Sequence, residues 1–308
     1  MNQTLRIATR KSELALWQAR HVEALLKQRY PDLKVELLPL VTQGDRILDK
    51  PLAEIGGKGL FLKELERALL TGEADLAVHS MKDVPVEMTP GLLIDIVLQR
   101  ANPFDALLGR NGERLEELAV GSQVGTSSLR RQCQLKALRP DLQVLDLRGN
   151  VNTRIRKLNE GQYDAIILAC AGLERLGLEH LISDTLSAPE WLPAVTQGSI
   201  CLQYRADDLE LQEQLLPLNH EMTALCADAE RAVSLRLGGS CQVPLAVFAR
   251  IESGQFCLDA LVGTPDGRRV LRSSRRGELA DADNYAEEIA LELLQYGADK
   301  IIADATKH

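Results

Sequence analysis

His79, Ser80, Lys82 and Asp83 stand together where a short apolar run, Leu76-Ala77-Val78, gives way to Pro85. The run reads as a buried strand, and Pro85 biases Val84 to an extended conformation. In α/β sheets, ligands bind beyond the carboxyl ends of strands. A carboxylate beside an ammonium there can stay ionised and face a ligand. On these residues alone the simpler reading is that Asp83 caps a turn and Lys82 is solvated.

A second constellation changes that balance. Residues 122–157 carry eight basic side chains (Arg130, Arg131, Lys136, Arg139, Arg148, Arg154, Arg156 and Lys157) against two acidic ones, Asp141 and Asp146, in a chain of net charge −8. Arg130 and Arg131 fall in the first turn of a predicted helix, and Arg148 falls just past a strand. Cations oppose the dipole at a helix N-terminus. An anion placed there is instead met by backbone N–H groups and guanidinium forks together. Lys136, Arg139, Arg156 and Lys157 read as a solvated face. Arg130, Arg131, Arg148 and Arg154 read as groups for a ligand with several carboxylates or phosphates. Nucleic acid is not the expected partner: the window holds no Phe, Trp or Tyr, and the whole chain is acidic.

Six cysteines, at 133, 170, 201, 226, 241 and 257, are dispersed without a C-x-x-C pair, so neither a disulfide framework nor a metal site is expected. Five read as buried packing. Cys241 lies in Gly238-Gly239-Ser240-Cys241-Gln242-Val243-Pro244, a loop with backbone freedom to present its sulfur to a cleft. The N-terminus lacks the apolar core of a signal peptide, and no window suits a membrane span, so a cytoplasmic protein is expected.

The elements that must hold these residues alternate. A strand over 5–9 leads through Arg10, Lys11 and the N-cap candidate Ser12 into a helix; a second strand spans 35–41. Gly56-Gly57-Lys58-Gly59 precedes another helix; it fails as a phosphate-binding P-loop because Leu52 and Gly59 stand where glycine and Ser or Thr are needed, so it reads as a loop presenting Lys58. Strands at 92–98, 120–126, 144–147 and 165–169 alternate with helices at 128–138 and 151–159, which predicts largely parallel α/β sheets. Crossings between domains are read at 99–103 and 191–198. Beyond residue 207 the pattern becomes a long helix over 222–237, strands at 245–250, 256–262 and 270–274, a hairpin turn at Thr264-Pro265-Asp266-Gly267 and a closing helix over 283–296. Arg268, Arg269, Arg272, Arg275 and Arg276 read as decoration of an exposed hairpin.

Taken together, Arg6-Ile7-Ala8-Thr9-Arg10 with Ser12, Gly56-Gly57-Lys58-Gly59-Leu60-Phe61, Val78 through Pro85, Gly125-Thr126-Ser127-Ser128-Leu129-Arg130-Arg131, Leu147-Arg148-Gly149-Asn150-Val151, Tyr163 through Ala169, Gln197-Gly198 and Cys241-Gln242-Val243-Pro244 resemble the porphobilinogen deaminase family, over nearly the whole length. The resemblance implies an α/β fold of two periplasmic-binding-protein-like lobes plus a small α+β C-terminal domain: residues 1–98 with 199–217, residues 104–192, and residues 221–308. It implies one dipyrromethane cofactor per chain, joined by a thioether to Cys241. The activity implied is head-to-tail joining of four porphobilinogen molecules with loss of ammonia, giving hydroxymethylbilane, by a monomer. Asp83 would be catalytic, stabilising the cationic azafulvene left when ammonia departs. Cofactor contacts would come from Asp83, Lys82, Ser128, Arg130, Arg131, Arg148, Arg154, Asp45 and Asn150. Substrate contacts would come from Arg10, Ser12, Lys58, Ser80, Thr126, Arg148, Arg154, Arg175, Gln197 and Gly198. The chain departs from the family pattern at Gln43, Glu54, Gly238-Gly239-Ser240, and at Thr196 and Ser199, where small residues are usual. A non-catalytic two-lobed protein binding a polycarboxylate would share the arginines without needing Asp83 or Cys241; a Cys-dependent hydrolase would need a histidine that no motif supplies.

Overall fold

The computed structural model describes residues 4–42, 44, 62–238 and 243–305. Strand β1 (Leu5–Arg10) opens the chain. Helix α1 (Glu13–Arg29) comes next, with Ser12 as its N-cap accepting from the Ala15 N–H at 3.3 Å. Glu13 in its first turn and Lys27 and Arg29 in its last complement the helix dipole. Strand β2 (Val35–Leu40) carries Pro39, which a central strand could not tolerate; β2 lies at the sheet edge. Then come α2 (Lys63–Leu70), β3 (Leu76–Ser80) and β4 (Leu92–Val97). The strand that completes this sheet, β10 (Ile200–Arg205), arrives only after an excursion of about a hundred residues.

That excursion builds the second lobe: β5 (Asp105–Gly109), β6 (Gln123–Gly125), α3 (Leu129–Leu138), β7 (Gln143–Leu145), α4 (Val151–Asn159), β8 (Ala165–Ala169), α5 (Cys170–Arg175) and β9 (Asp184–Leu186). The first sheet has the order β2-β1-β3-β10-β4 and the second β7-β6-β8-β5-β9. These are one pattern used twice. Three parallel strands are joined by an inserted strand antiparallel to both neighbours, β10 in one sheet and β5 in the other. The expected α/β class with two lobes holds, but the sheets are mixed, because each inserted strand enters from a crossing segment instead of a helix. Strands β5, β9 and β10 have no counterpart among the expected strands, and β6 and β7 are shorter than the expected 120–126 and 144–147.

The first lobe buries Ile7, Val22, Leu26, Leu76, Ile96 and Leu202 on one face and Ala8, Leu65, Ala68, Leu69 and Ala77 on the other. Each fully buried Leu, Ile or Val contributes roughly 1.5–3 kcal/mol relative to exposure.

Helices α6 (Leu209–Leu215) and α7 (Glu221–Arg236) lead to the antiparallel sheet β11 (Leu245–Glu252), β12 (Gln255–Gly263) and β13 (Val270–Gly277), then α8 (Ala282–Gln295) and α9 (Ala298–Ala305). The last helix extends the structure past the predicted close at 296. Alternation along β11 divides two cores: Val247 and Ala249 face α7, α8 and α9, whereas Ala246 and Phe248 pack with Cys133 and Leu192 of the second lobe. The approach is close, since a Cβ on Gly263 would stand 2.4 Å from the Cys133 sulfur.

The described residues form two compact units, 4–42, 44, 62–101 and 199–224 in one, and 102–198, 225–238 and 243–305 in the other. The hairpin turn forms as expected, with Gly267 at φ +69° and its N–H on the Thr264 carbonyl. Its arginines are not mere decoration. Arg272 donates to the Pro189 and Glu190 carbonyls, Arg275 pairs with Glu288 and Glu292, and Arg269 reaches the Tyr296 carbonyl. Among the described residues no helix is long and apolar enough to cross a membrane.

Candidate functional site

In the first lobe β1 and β3 run parallel and adjacent, so Arg10 and Ser80 leave the sheet at the same edge. Beyond Ser80 a single 3-10 turn, Met81–Asp83, closes with the Val84 N–H on the Met81 carbonyl. Met81 and Val84 are buried while Lys82 and Asp83 between them are half-buried. Two apolar anchors thus hold the Lys82-Asp83 pair at the strand end. The Met81 N–H is fixed by the Ser199 carbonyl at 3.0 Å.

His79 does not join them. It is buried on the α2 side, its Nε2 donating to Gln203 Oε1 at 3.0 Å; Gln203 in turn donates to Glu66 Oε1 at 3.0 Å, and Thr89 donates to Glu66 Oε2. Because the Gln203 amide N–H is committed to a carboxylate, its oxygen faces His79 and selects the Nε2–H tautomer. Burial, helped by the Arg10 charge and opposed by the Gln203 bond, lowers the imidazole to about 4. The histidine expected at the mouth of the strand is a neutral core group.

In the second lobe the parallel strands β6, β7 and β8 deliver their groups to one edge. Thr126 lies just past β6, and its hydroxyl accepts from the Ser128 N–H. Ser128 caps α3 by accepting from the Arg131 N–H. Beyond β7, Gly149 takes φ +113°, Asn150 caps α4 by accepting from the Thr153 N–H at 2.9 Å, and Arg154 Nε donates back to the Gly149 carbonyl at 2.8 Å. Lys157 Nζ donates to the Arg148 carbonyl, which fixes the backbone of that half-buried arginine. Arg175, at the end of α5 beyond β8, donates to the Gly198 carbonyl at 2.7 Å, and burial draws its guanidinium down to about 10.

Arg130 and Arg131 meet an acid that the basic window does not contain. Both are buried on Asp105, the first residue of β5. Arg130 Nη1 donates to Asp105 Oδ2 and Arg131 Nη2 to Oδ1, each at 2.7 Å. Trp191 Nε1 and Gln197 Nε2 complete the carboxylate at 2.7 and 2.9 Å. Burial alone would raise the Asp105 carboxyl; the two guanidinium charges override it and hold it well below the ordinary carboxylate range. The cations at the α3 N-terminus therefore have an internal counter-ion and do not by themselves demand an external anion. Their charge is only half cancelled, however: two guanidiniums share one carboxylate, and the buried Arg131 Nε has no hydrogen-bond partner among the described residues. Asp105 lies outside the basic window, and the signal that points to it is an acid opening the apolar run Ala106-Leu107-Leu108. Like Lys157, two more residues expected on the solvated face are engaged: Lys136 donates to the Pro140 and Leu142 carbonyls, and Arg139 pairs with Asp141 while donating to the Leu115 and Leu118 carbonyls.

Asp45, Lys58 and Cys241 lie outside the described residues. The remaining cysteines, 133, 170, 201, 226 and 257, are buried free thiols. The donor set in the second lobe suits a ligand bearing several carboxylates, as a dipyrromethane does: hydroxyls, guanidiniums, a surplus of positive charge and an unsatisfied Nε.

Residues 5–213 match the profile described as "Porphobilinogen deaminase, dipyromethane cofactor binding domain", and residues 224–295 match "Porphobilinogen deaminase, C-terminal domain". Among solved structures, the chain is similar to the probable amino-acid ABC transporter extracellular-binding protein YtmK from Bacillus subtilis, at 15% identity over 70% of this chain and 90% of that one, with a TM-score of 0.42. It is also similar to the periplasmic VFT2 domain of BvgS from Bordetella pertussis, at 17% identity over 74% and 90%, again with a TM-score of 0.42. With two successive domain profiles matched across nearly all of its length, the chain belongs to the porphobilinogen deaminase family, transferases of tetrapyrrole biosynthesis that work on a dipyrromethane cofactor.

Proposed function

We propose that the chain joins four porphobilinogen molecules head to tail, from a dipyrromethane bound through a thioether to Cys241, and that it does so as a cytoplasmic monomer. The bound dipyrromethane supplies the nucleophilic pyrrole terminus on which the product chain is primed. The chain's own residues supply binding and electrostatics. Thr126, Ser128, Arg130, Arg131, Arg148, Asn150, Arg154 and Arg175 hold acetate and propionate carboxylates at the edge of the second sheet. Arg10, Ser12, Ser80 and Lys82 do the same at the first. Asp83 keeps a negative charge beside the ring on which positive charge develops, where it lowers the barrier in proportion to its pre-organisation. Its setting between buried Met81 and Val84 supports that role, since the backbone that carries the carboxylate is already anchored at the strand end.

The observation that carries the carboxylate-holding role is the Asp105 cluster, with its surplus cation and unsatisfied Arg131 Nε beside the α3 N-terminus. Intact mass spectrometry tests the attachment: the purified protein should carry a two-pyrrole adduct that Cys241→Ser lacks. An adduct that survives that substitution, or a bare mass in active protein, overturns it. Asp83→Asn should retain the adduct and the fold yet lose turnover almost completely; near-normal turnover would remove Asp83 from the chemistry. The sharing of two lobes with binding proteins no longer favours a non-catalytic reading once the family is established.

A further inference from the structure

Glu230, on α7, is wholly buried, an uncommon place for a carboxylate. Its two oxygens divide their work: Oε1 accepts from the Ala249 N–H of β11 at 2.8 Å and Oε2 from the Thr196 N–H at 2.5 Å. Thr196 is itself anomalous. It is buried, β-branched, and sits at φ +57°, a region such residues rarely occupy. The turn it forms closes with the Gln197 N–H on the Ala194 carbonyl. The two residues just past Thr196 reach groups of the candidate site. Gln197 Nε2 donates to Asp105 Oδ1 and to the Pro103 carbonyl, and the Gly198 carbonyl receives Arg175 Nη2.

We propose that Glu230 is a positioning residue of the transferase: its carboxylate clamps the left-handed Thr196 turn and thereby sets Gln197 against Asp105 and the Gly198 carbonyl against Arg175. The helix that carries Glu230 ends at Arg236, five residues before the cofactor cysteine. One buried carboxylate thus ties the module bearing the attachment point to the groups that hold the ligand's acidic arms. The proposal rests on the reading of Arg175 as one of those groups. The strain at Thr196 makes it testable, because glycine adopts a positive φ without help.

The experiment is a two-by-two comparison of steady-state kinetics in holoenzyme: Glu230→Gln made in the natural chain and in a Thr196→Gly background, with Arg175→Leu alongside. The glutamine amide offers one acceptor and presents an N–H₂ to the second donor, so the clamp is broken. Glu230→Gln should raise KM at least tenfold in the natural chain and less than threefold in the glycine background, with adduct content unchanged by intact mass. Equal losses in both backgrounds, or no loss in either, overturn the proposal. If Glu230→Gln does not accumulate as folded protein, Glu230→Asp, one methylene shorter, is run through the same comparison under the same criterion. An Arg175→Leu enzyme with unchanged KM would instead refute the reading of Arg175, separately from the clamp.

Discussion

Replacing Asp105 by Asn is the sharpest test of how the second lobe keeps its arginines. The substitution is nearly isosteric but removes the carboxylate that, among the described residues, Arg130 and Arg131 share, and its amide N–H₂ confronts at least one of four donors at 2.7 to 2.9 Å. Removing one partner from a buried ion pair costs about 3–5 kcal/mol, because the other charge is left uncompensated. With a urea slope of about 2 kcal/mol/M, the unfolding midpoint should fall by roughly 2 M. Trp191 is one of two tryptophans and touches the carboxylate directly, so in a Trp17→Phe background its fluorescence reports this unit alone. The effect has a pH signature. The Asp105 carboxyl is depressed in the folded protein, so its contribution is complete above the unfolded value of about 3.9 and declines as the pH falls below it. The gap between parent and variant should therefore be constant from pH 5 to 8 and narrow below about pH 4. A midpoint shift under about 0.5 M, or a gap that does not narrow in acid, would refute the assignment of Asp105 as the internal counter-ion.

Arg148→His should slow chain extension about tenfold or more, the loss of one charge-assisted hydrogen bond of roughly 1.5–3 kcal/mol; unchanged rate and adduct content would contradict its placement in the site. His79 should stay neutral down to about pH 4 by imidazole NMR. Because the unfolded histidine protonates near 6.5, this group lowers stability as the pH falls from about 6.5 toward 4; a native titration near 6.5 would break the His79-Gln203-Glu66 assignment. Cys133 and Cys170, raised by burial to about 11 and about 12, should resist maleimide in the native protein and react on unfolding; native labelling at either would show that the packing is wrong.

Most of the local structure was legible because it depends on neighbours in sequence. Ser128 and Asn150 announce α3 and α4 by capping chemistry, and Ala165–Ala169 is apolar from end to end. The inserted strands were not legible in the same way. Nothing near residue 200 says that β10 will lie between β3 and β4, strands that precede it by more than a hundred residues, because that pairing is a property of chain topology. The same limit hid the site's internal wiring. The periodicity that places His79 in β3 cannot say which sheet face it meets, and the partner that explains it, Gln203, is 124 residues away. Asp105 stands 25 residues from Arg130, outside any window in which charges are naturally counted together. Local patterns reveal which residues gather at strand ends; which of them neutralise each other is settled by contacts that only the folded chain makes.

That distinction bears on why two arginines share one acid. With no internal carboxylate, burying Arg130 and Arg131 would leave both desolvated charges unpaired in the absence of ligand, a cost the fold could not carry. With two acids the pair would be held, yet its charge would be cancelled and a ligand carboxylate would gain little on arrival. A single Asp105 meets both demands. Together with the Leu192 and Ile167 carbonyls it holds both guanidiniums in place, and among the described residues it leaves the pair one positive charge in excess. The unsatisfied Arg131 Nε is the local trace of that excess. On the proposed reading, a ligand carboxylate brought near the pair would be drawn by that excess charge in a setting where water competes poorly, which is the condition under which such an attraction is worth most.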